Sequence, residues 1–263
     1  MTSTDQSAIS KRAEIIAFPI VISITVGINQ TFFVNLLVGF HIWIHEFGHA
    51  TVAWLSGYRA LPLPIGWANI EETKSNFVYF GIIFLLGVLF YTGWNERKPW
   101  AMILAVMIAP LQAYMTWFWP HHEYELWSYW GGIGGEYILS ALMIIAYFMD
   151  FPEKFKWQYC KYLFLFLGTS TFAETFTFWQ NAQSAADIPW GTMLHGHEDE
   201  GGDMNYLRAA GWSAADIISS YQNTGKICLA VMILSFAIAS TIQLWREIAQ
   251  VGRSFTNGRR RET

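Results

Sequence analysis

Charge is what this chain has least of. Only 14% of its 263 residues are Asp, Glu, Lys or Arg, and the formal net charge is −4. A surface for nucleic acid needs a basic excess that is absent here, so no nucleic-acid partner is expected. Cysteine is nearly missing too, with Cys160 and Cys228 the whole supply. Both fall in or beside strongly apolar stretches, which argues against a disulfide framework and against a cysteine metal site. No internal repeat, low-complexity tract or sizeable soluble domain interrupts the sequence. No small-residue cleavage site follows the basic start at Lys11 and Arg12, so a removable signal peptide is not expected.

Apolar and aromatic residues fill the chain instead: 53% hydrophobic, with 14 Trp, 12 Tyr and 20 Phe. Crossing about 30 Å of hydrocarbon takes roughly 20 apolar residues. "FVYFGIIFLLGVLFYTGW" from Phe77, "PWAMILAVMIAPLQAYMTWFW" from Pro99 and "WGGIGGEYILSALMIIAYFM" from Trp130 approach that length. "YCKYLFLFLGTSTFAETFTFW" from Tyr159 and "KICLAVMILSFAIASTIQLW" from Lys226 do the same. The N-terminal stretch from Glu14 to Gly57 holds one span joined to a half-buried helix, or two short helices, with Asn29, Gln30 and Asn35 marking a break. The expected fold is all-α: a polytopic transmembrane helical bundle of about six spans, or seven, forming one integral membrane domain over residues 1–263.

Orientation follows from the basic residues, which collect in cytoplasmic loops. Arg97 and Lys98 lie in one tight connection, Lys154, Lys156 and Lys161 around another, and the tail "GRRRET" is basic. The connections "PHHEYEL" from Pro120 and the loop over about 181–223 are acidic. The C-terminus is therefore expected in the cytoplasm, with the acidic loops and the end of the segment near Gly57 in the periplasm or exterior.

One apolar segment is interrupted. In "NLLVGFHIWIHEFGHATVAWLSG", a helix expected over about 35–57, three histidines and a glutamate stand among residues suited to lipid. Ionisable groups at mid-bilayer cost at least about 2.5 kcal/mol each and by default mark function there. His45 and His49 are four residues apart. That spacing advances a helix by about 6 Å and turns it by about 40°, so both imidazoles leave one face and can close on one ion. Zinc held by two imidazoles and a third ligand activates water and polarises a carbonyl, and Glu46, beside the pair, would be the base. On this reading Gly48 lets a substrate backbone come close. The competing reading is a satisfied structural cluster.

"HIWIHEFGHATVAWLSGYRA" resembles, over about 25 residues, the zinc-site helix of intramembrane metalloproteases of the site-2 protease class, in particular the small bacterial branch without a PDZ domain. "HGHEDEGGDMNYLRAAGWSA", from His195, is similar to the acidic segment before that branch's last span. The resemblance implies that His45 and His49 are zinc ligands and Glu46 the catalytic base. It implies a third ligand from an aspartate in an L-D-G type motif, a tripeptide this sequence lacks. Asp203, in "EGGDMNYL", is the nearest counterpart, since it follows two glycines shortly before the last span on the same side as the HEFGH helix. Glu136, His197, Glu198 and the "HHE" from His121 are rivals. "YRALPLPIGWANIEETKSN" reads as a non-helical connection which, in the resembled proteases, can hold the substrate as an added strand.

His41 lies one turn before His45, but about 12 Å along the axis from His49, too far for all three to share an ion. It is expected to orient a group near the metal or to bond a neighbouring helix. Glu174 either lines a wet cavity, pairs with a partner or sits near the interface. Gly131, Gly132, Gly134 and Gly135 are expected to allow close helix packing. The function expected is an intramembrane zinc metalloprotease acting on a membrane protein substrate within the lipid bilayer. The alternative is a non-enzymatic subunit of a larger membrane protein complex that keeps the histidines for structure or metal binding. A haem-binding redox subunit ranks last, because Glu46 has no task in it.

Overall fold

The computed structural model describes residues 3–149, 151, 159–191 and 201–259. Among these, eight α-helices and one two-stranded sheet make up the fold. Helix α1 (Ser3–Asn29) ends where the sequence marks a break. There the Thr31 side chain accepts from the Phe33 N–H to start a short 3-10 turn over Phe32–Leu36. Helix α2 (Val38–Leu55) follows and carries HEFGH, starting three residues later and ending two residues earlier than the 35–57 expected.

Among the described residues, five helices are long and apolar enough to cross a membrane: Arg12–Asn29, Asn76–Asn95 (α3), Pro99–Trp117 (α4), His121–Ala146 (α5) and the first part, Ala214–Arg246, of α8 (Ala214–Arg259). The expected count of six or seven is thus reduced to about five among the described residues. The segment from Tyr159 does form a helix, α6 (Cys160–Asn181), but its run of Thr, Ser and Glu side chains dilutes its hydropathy. Much of that run faces inward, with Thr169, Ser170, Thr171 and Thr175 buried, while Glu174 is exposed. The five apolar helices make this a membrane protein.

Two boundaries also move. The last helix begins at Ala214, not near Lys226, because Ser213 and Asp216 cap each other there: the Asp216 carboxylate accepts from the Ser213 N–H at 2.9 Å and Ser213 Oγ from the Asp216 N–H at 3.2 Å. Within the loop expected over 181–223, residues 203–209 form the short helix α7 (Asp203–Ala209) and α8 begins at Ala214. The connection after α2 is an antiparallel hairpin, β1 (Tyr58–Leu63) and β2 (Trp67–Lys74), turned at Gly66 with φ +81°. Indoles of α2 bind its first strand, Trp54 Nε1 donating to the Ala60 carbonyl at 3.0 Å and Trp43 Nε1 to that of Pro62 at 3.2 Å.

Helices α2 and α5 run antiparallel at very close range. A Cβ on Gly48 would lie 2.0 Å from the Gly131 carbonyl oxygen, and one on Gly135 would lie 2.2 Å from the Gly48 Cα. Three glycines therefore set the helix separation, as small residues do in lipid. Gly48 is closed against α5 and does not open space for a substrate, which corrects the reading of that residue. At one end of the pair Tyr58 stacks on Tyr124 with centroids 4.1 Å apart. Helix α6 registers on the other side of α5, where the hydroxyl of fully buried Tyr137 donates to the Thr175 carbonyl at 3.1 Å. Tyr221 of α8 and Trp179 of α6 complete this core. Helix α3 packs on α4 and leaves Phe77, Phe80 and Phe84 exposed, the surface a bilayer would cover.

Candidate metal centre

The stripe His41, His45, His49 of α2 faces a matching stripe on α5. Ser128, Gly132 and Glu136 also recur every four residues, and with the helices antiparallel His49 meets Ser128 while His45 meets Glu136. His49 Nδ1–H donates to the Ser128 carbonyl at 2.7 Å. His45 Nδ1–H donates to Glu136 Oε1 at 2.8 Å. A carbonyl and a carboxylate can only accept, so both Nδ1 atoms carry a proton and both Nε2 atoms point the other way.

They point at Asp203. Its Oδ2 lies 3.0 Å from His45 Nε2 and 3.1 Å from His49 Nε2. His45, His49 and Asp203 each offer one ligand atom, all within 4.8 Å of one another, and together they could hold a metal ion. The fit to a small divalent ion is geometric. Bonds of about 2.0–2.1 Å at tetrahedral angles put ligand atoms about 3.3 Å apart, close to the two separations to Asp203. Two imidazole nitrogens and a carboxylate oxygen converging on one point call for positive charge between them, from an ion or from protons on the imidazoles. Burial pushes the Asp203 carboxyl up, but His49 and His45 outweigh it and hold the group far below the usual carboxylate range.

Glycine makes room twice. A Cβ on Gly132 would stand 2.4 Å from His45 Nε2 and 2.7 Å from Asp203 Oδ2, inside the space the three ligands share. That position serves the site, whereas Gly131 and Gly135 serve helix packing and Gly134 lies under the ring of Trp130. Helix packing for all four was too broad. Gly202, just before Asp203, has φ +95°, and a Cβ there would lie 2.0 Å from the Gly191 carbonyl oxygen. Only glycine fits, and this backbone contact starts α7 with Asp203 turned to the histidines.

Glu46 is buried at 6% exposure, close enough to His49, His45 and Asp203 to interact electrostatically with all three. Glu136 is placed behind His45 and holds it, instead of joining the ligand group. Its other oxygen, Oε2, accepts from the Thr175 hydroxyl of α6. His41 is a tier away: Nε2 lies 3.0 Å from Ser170 Oγ and Nδ1 lies against the Glu174 carboxylate, both on α6. It bonds a neighbouring helix, and Glu174 pairs with it. Ser170 is tied in turn to Asn29 of α1, donating to its Oδ1 at 2.8 Å. His121 is exposed and contacts the Tyr58 hydroxyl and Glu125. His197 and Glu198 lie outside the described residues. Ser128, Gly132 and Thr175 were not foreseen in the site, although the four-residue recurrence of Ser128, Gly132 and Glu136 is a visible signal.

Compared with known protein families, with curated proteins and with solved structures, the chain matches none.

Proposed function

We propose that this chain is an intramembrane zinc metalloprotease that hydrolyses a peptide bond of another membrane protein. One observation carries the reading: His45 Nε2, His49 Nε2 and Asp203 Oδ2 converge within 4.8 Å beside buried Glu46, in a bundle of apolar helices. Two imidazoles and one carboxylate are a donor set that suits zinc and leaves a coordination position open. A zinc ion held there supplies a Lewis acid at neutral pH. Ser128 and Glu136 fix the imidazole tautomers, so both Nε2 atoms stay free to bind it. Glu46 takes a proton from the attacking water and passes it to the leaving amine, and the net reaction adds one water across the peptide bond. The substrate segment must unwind first, because a helical peptide bond is already hydrogen-bonded and shielded. The distribution of Lys and Arg supports a cytoplasmic C-terminus in a bacterial inner membrane.

The test uses the detergent-purified protein and its reconstitution with single-span reporter helices carrying a fluorescent tag. Wild type should carry one zinc per chain and release tagged fragments. His45→Ala should lose the metal. Glu46→Gln should keep it and lose cleavage, and a variant that cleaved at the wild-type rate would remove Glu46 as the base.

A further inference from the structure

The metal-facing residues come from α2 and α7, yet His45 is oriented by Glu136 of α5 and, behind it, Thr175 of α6, neither of which joins the ligand group. Glu136 Oε1 accepts from His45 Nδ1–H at 2.8 Å, and Glu136 Oε2 accepts from the Thr175 hydroxyl. Thr175 is itself fixed, since the hydroxyl of Tyr137, next to Glu136 in the chain, donates to its carbonyl at 3.1 Å. Thr175 is buried at 6% exposure and Tyr137 completely. A glutamate side chain left to rotate about its last bond would present either oxygen, or neither, to His45. With one oxygen bound to a buried hydroxyl, the plane of the carboxylate is set and the other oxygen is aimed.

We infer that Thr175 of α6, acting through Glu136, is a positioning residue that aims His45 Nε2 at the metal site. The chain of contacts runs Thr175 Oγ1–H to Glu136, Glu136 to His45 Nδ1–H, and then across the imidazole to Nε2. His49 has a simpler arrangement, for its Nδ1 partner is the backbone carbonyl of Ser128, already fixed by α5. The two ligands therefore differ in what holds them: one leans on a backbone atom, the other on a two-residue side-chain relay that ends on a third helix.

The inference rests on the proposed zinc site, and it is tested by metal affinity, so it needs no substrate. Apo protein in detergent is titrated with zinc against a chromogenic chelator, and separately with cobalt(II) to record the visible absorption of the bound ion. Thr175→Val removes the hydroxyl at nearly constant volume and should weaken zinc binding about 10- to 100-fold, the range for loss of an outer hydrogen-bond partner. It should also alter the cobalt spectrum. Thr175→Ser restores the hydroxyl and should recover affinity to within about threefold of wild type. Because the effect passes through Glu136, Thr175→Val should cost nothing further in a Glu136→Ala background. Wild-type affinity in Thr175→Val, a Thr175→Ser variant as weak as Thr175→Val, or additive losses in the double variant would each overturn the inference while leaving the zinc site standing. A wild-type protein that bound no zinc would overturn both.

Discussion

Replacing Gly48 by alanine should be among the most damaging one-carbon changes available in this protein. The new methyl carbon would sit 2.0 Å from the Gly131 carbonyl oxygen and 2.8 Å from the Gly135 Cα. A carbon does not approach a carbonyl oxygen much closer than about 3.3 Å, so α2 and α5 must part by about 1.3 Å. The same two helices are joined by His49 to Ser128 at 2.7 Å and His45 to Glu136 at 2.8 Å. A parting of that size carries both beyond hydrogen-bond range and releases both imidazoles. Overpacking alone costs about 1–3 kcal/mol, or roughly 2–10 °C in melting temperature. Loss of the outer partners should lower zinc affinity at least about tenfold. Fluorescence-detected thermal melts and chelator competition in detergent read the two effects. Gly81→Ala is the matched control, for its Cβ meets nothing within 4 Å, and alanine is the better helix former. A Gly48→Ala protein that melted and bound zinc as the Gly81→Ala protein does would refute the close glycine contact and its link to the site.

Two further outcomes follow from contacts already described. Asp203→Asn keeps the side-chain shape but withdraws the negative charge facing both Nε2 atoms. It should reduce zinc affinity by more than the roughly 100-fold upper range of outer-partner changes, as measured by chelator competition; a tenfold loss or less would remove Asp203 from the ligand set. Trp43→Phe and Trp54→Phe each delete one indole donor to β1. Each should cost about 1 kcal/mol, and the double variant should melt roughly 4–8 °C lower, with an unchanged melt counting against the anchoring of the hairpin by α2.

Much of the architecture could be read from composition, and the reasons mark where reading stops. Long apolar runs gave four of the five spans directly, since hydrocarbon thickness fixes their length. Helix α6 misled because its inward face is a ladder of hydroxyls: a helix buried among other helices need not be as apolar as one facing lipid. The start of α8 was missed because the Ser213 and Asp216 cap lies upstream of the apolar residues, within a segment that reads as loop. The hairpin was read only as non-helical, as its pairing depends on indoles from α2 that no local pattern reveals.

At the site, the spacing of His45 and His49 was legible because a helix converts four residues into one face. Asp203 was reached through the two glycines before it, and the φ of Gly202 explains why that signal carries information. Glu136 reads from sequence as a rival ligand, and whether it joins the ligand group or supports His45 depends on which side of the His45 ring it approaches. Thr175 was not visible at all. Nothing in "TSTFAETFTFW" distinguishes one hydroxyl from its neighbours until α6 is laid against α5.

His45 and Asp203 are 158 positions apart. A ribosome feeding this chain into a bilayer from its N-terminus delivers the histidine helix long before the aspartate has been translated. Through that interval α2 holds three imidazoles and a glutamate without the carboxylate that completes the group, and α5 is the first helix to arrive with partners for two of them. Assembly of the group is therefore a late event in the life of the nascent chain, and a polypeptide cut short before residue 203 would insert most of its helices yet have only two of the three side chains that together could hold a metal ion.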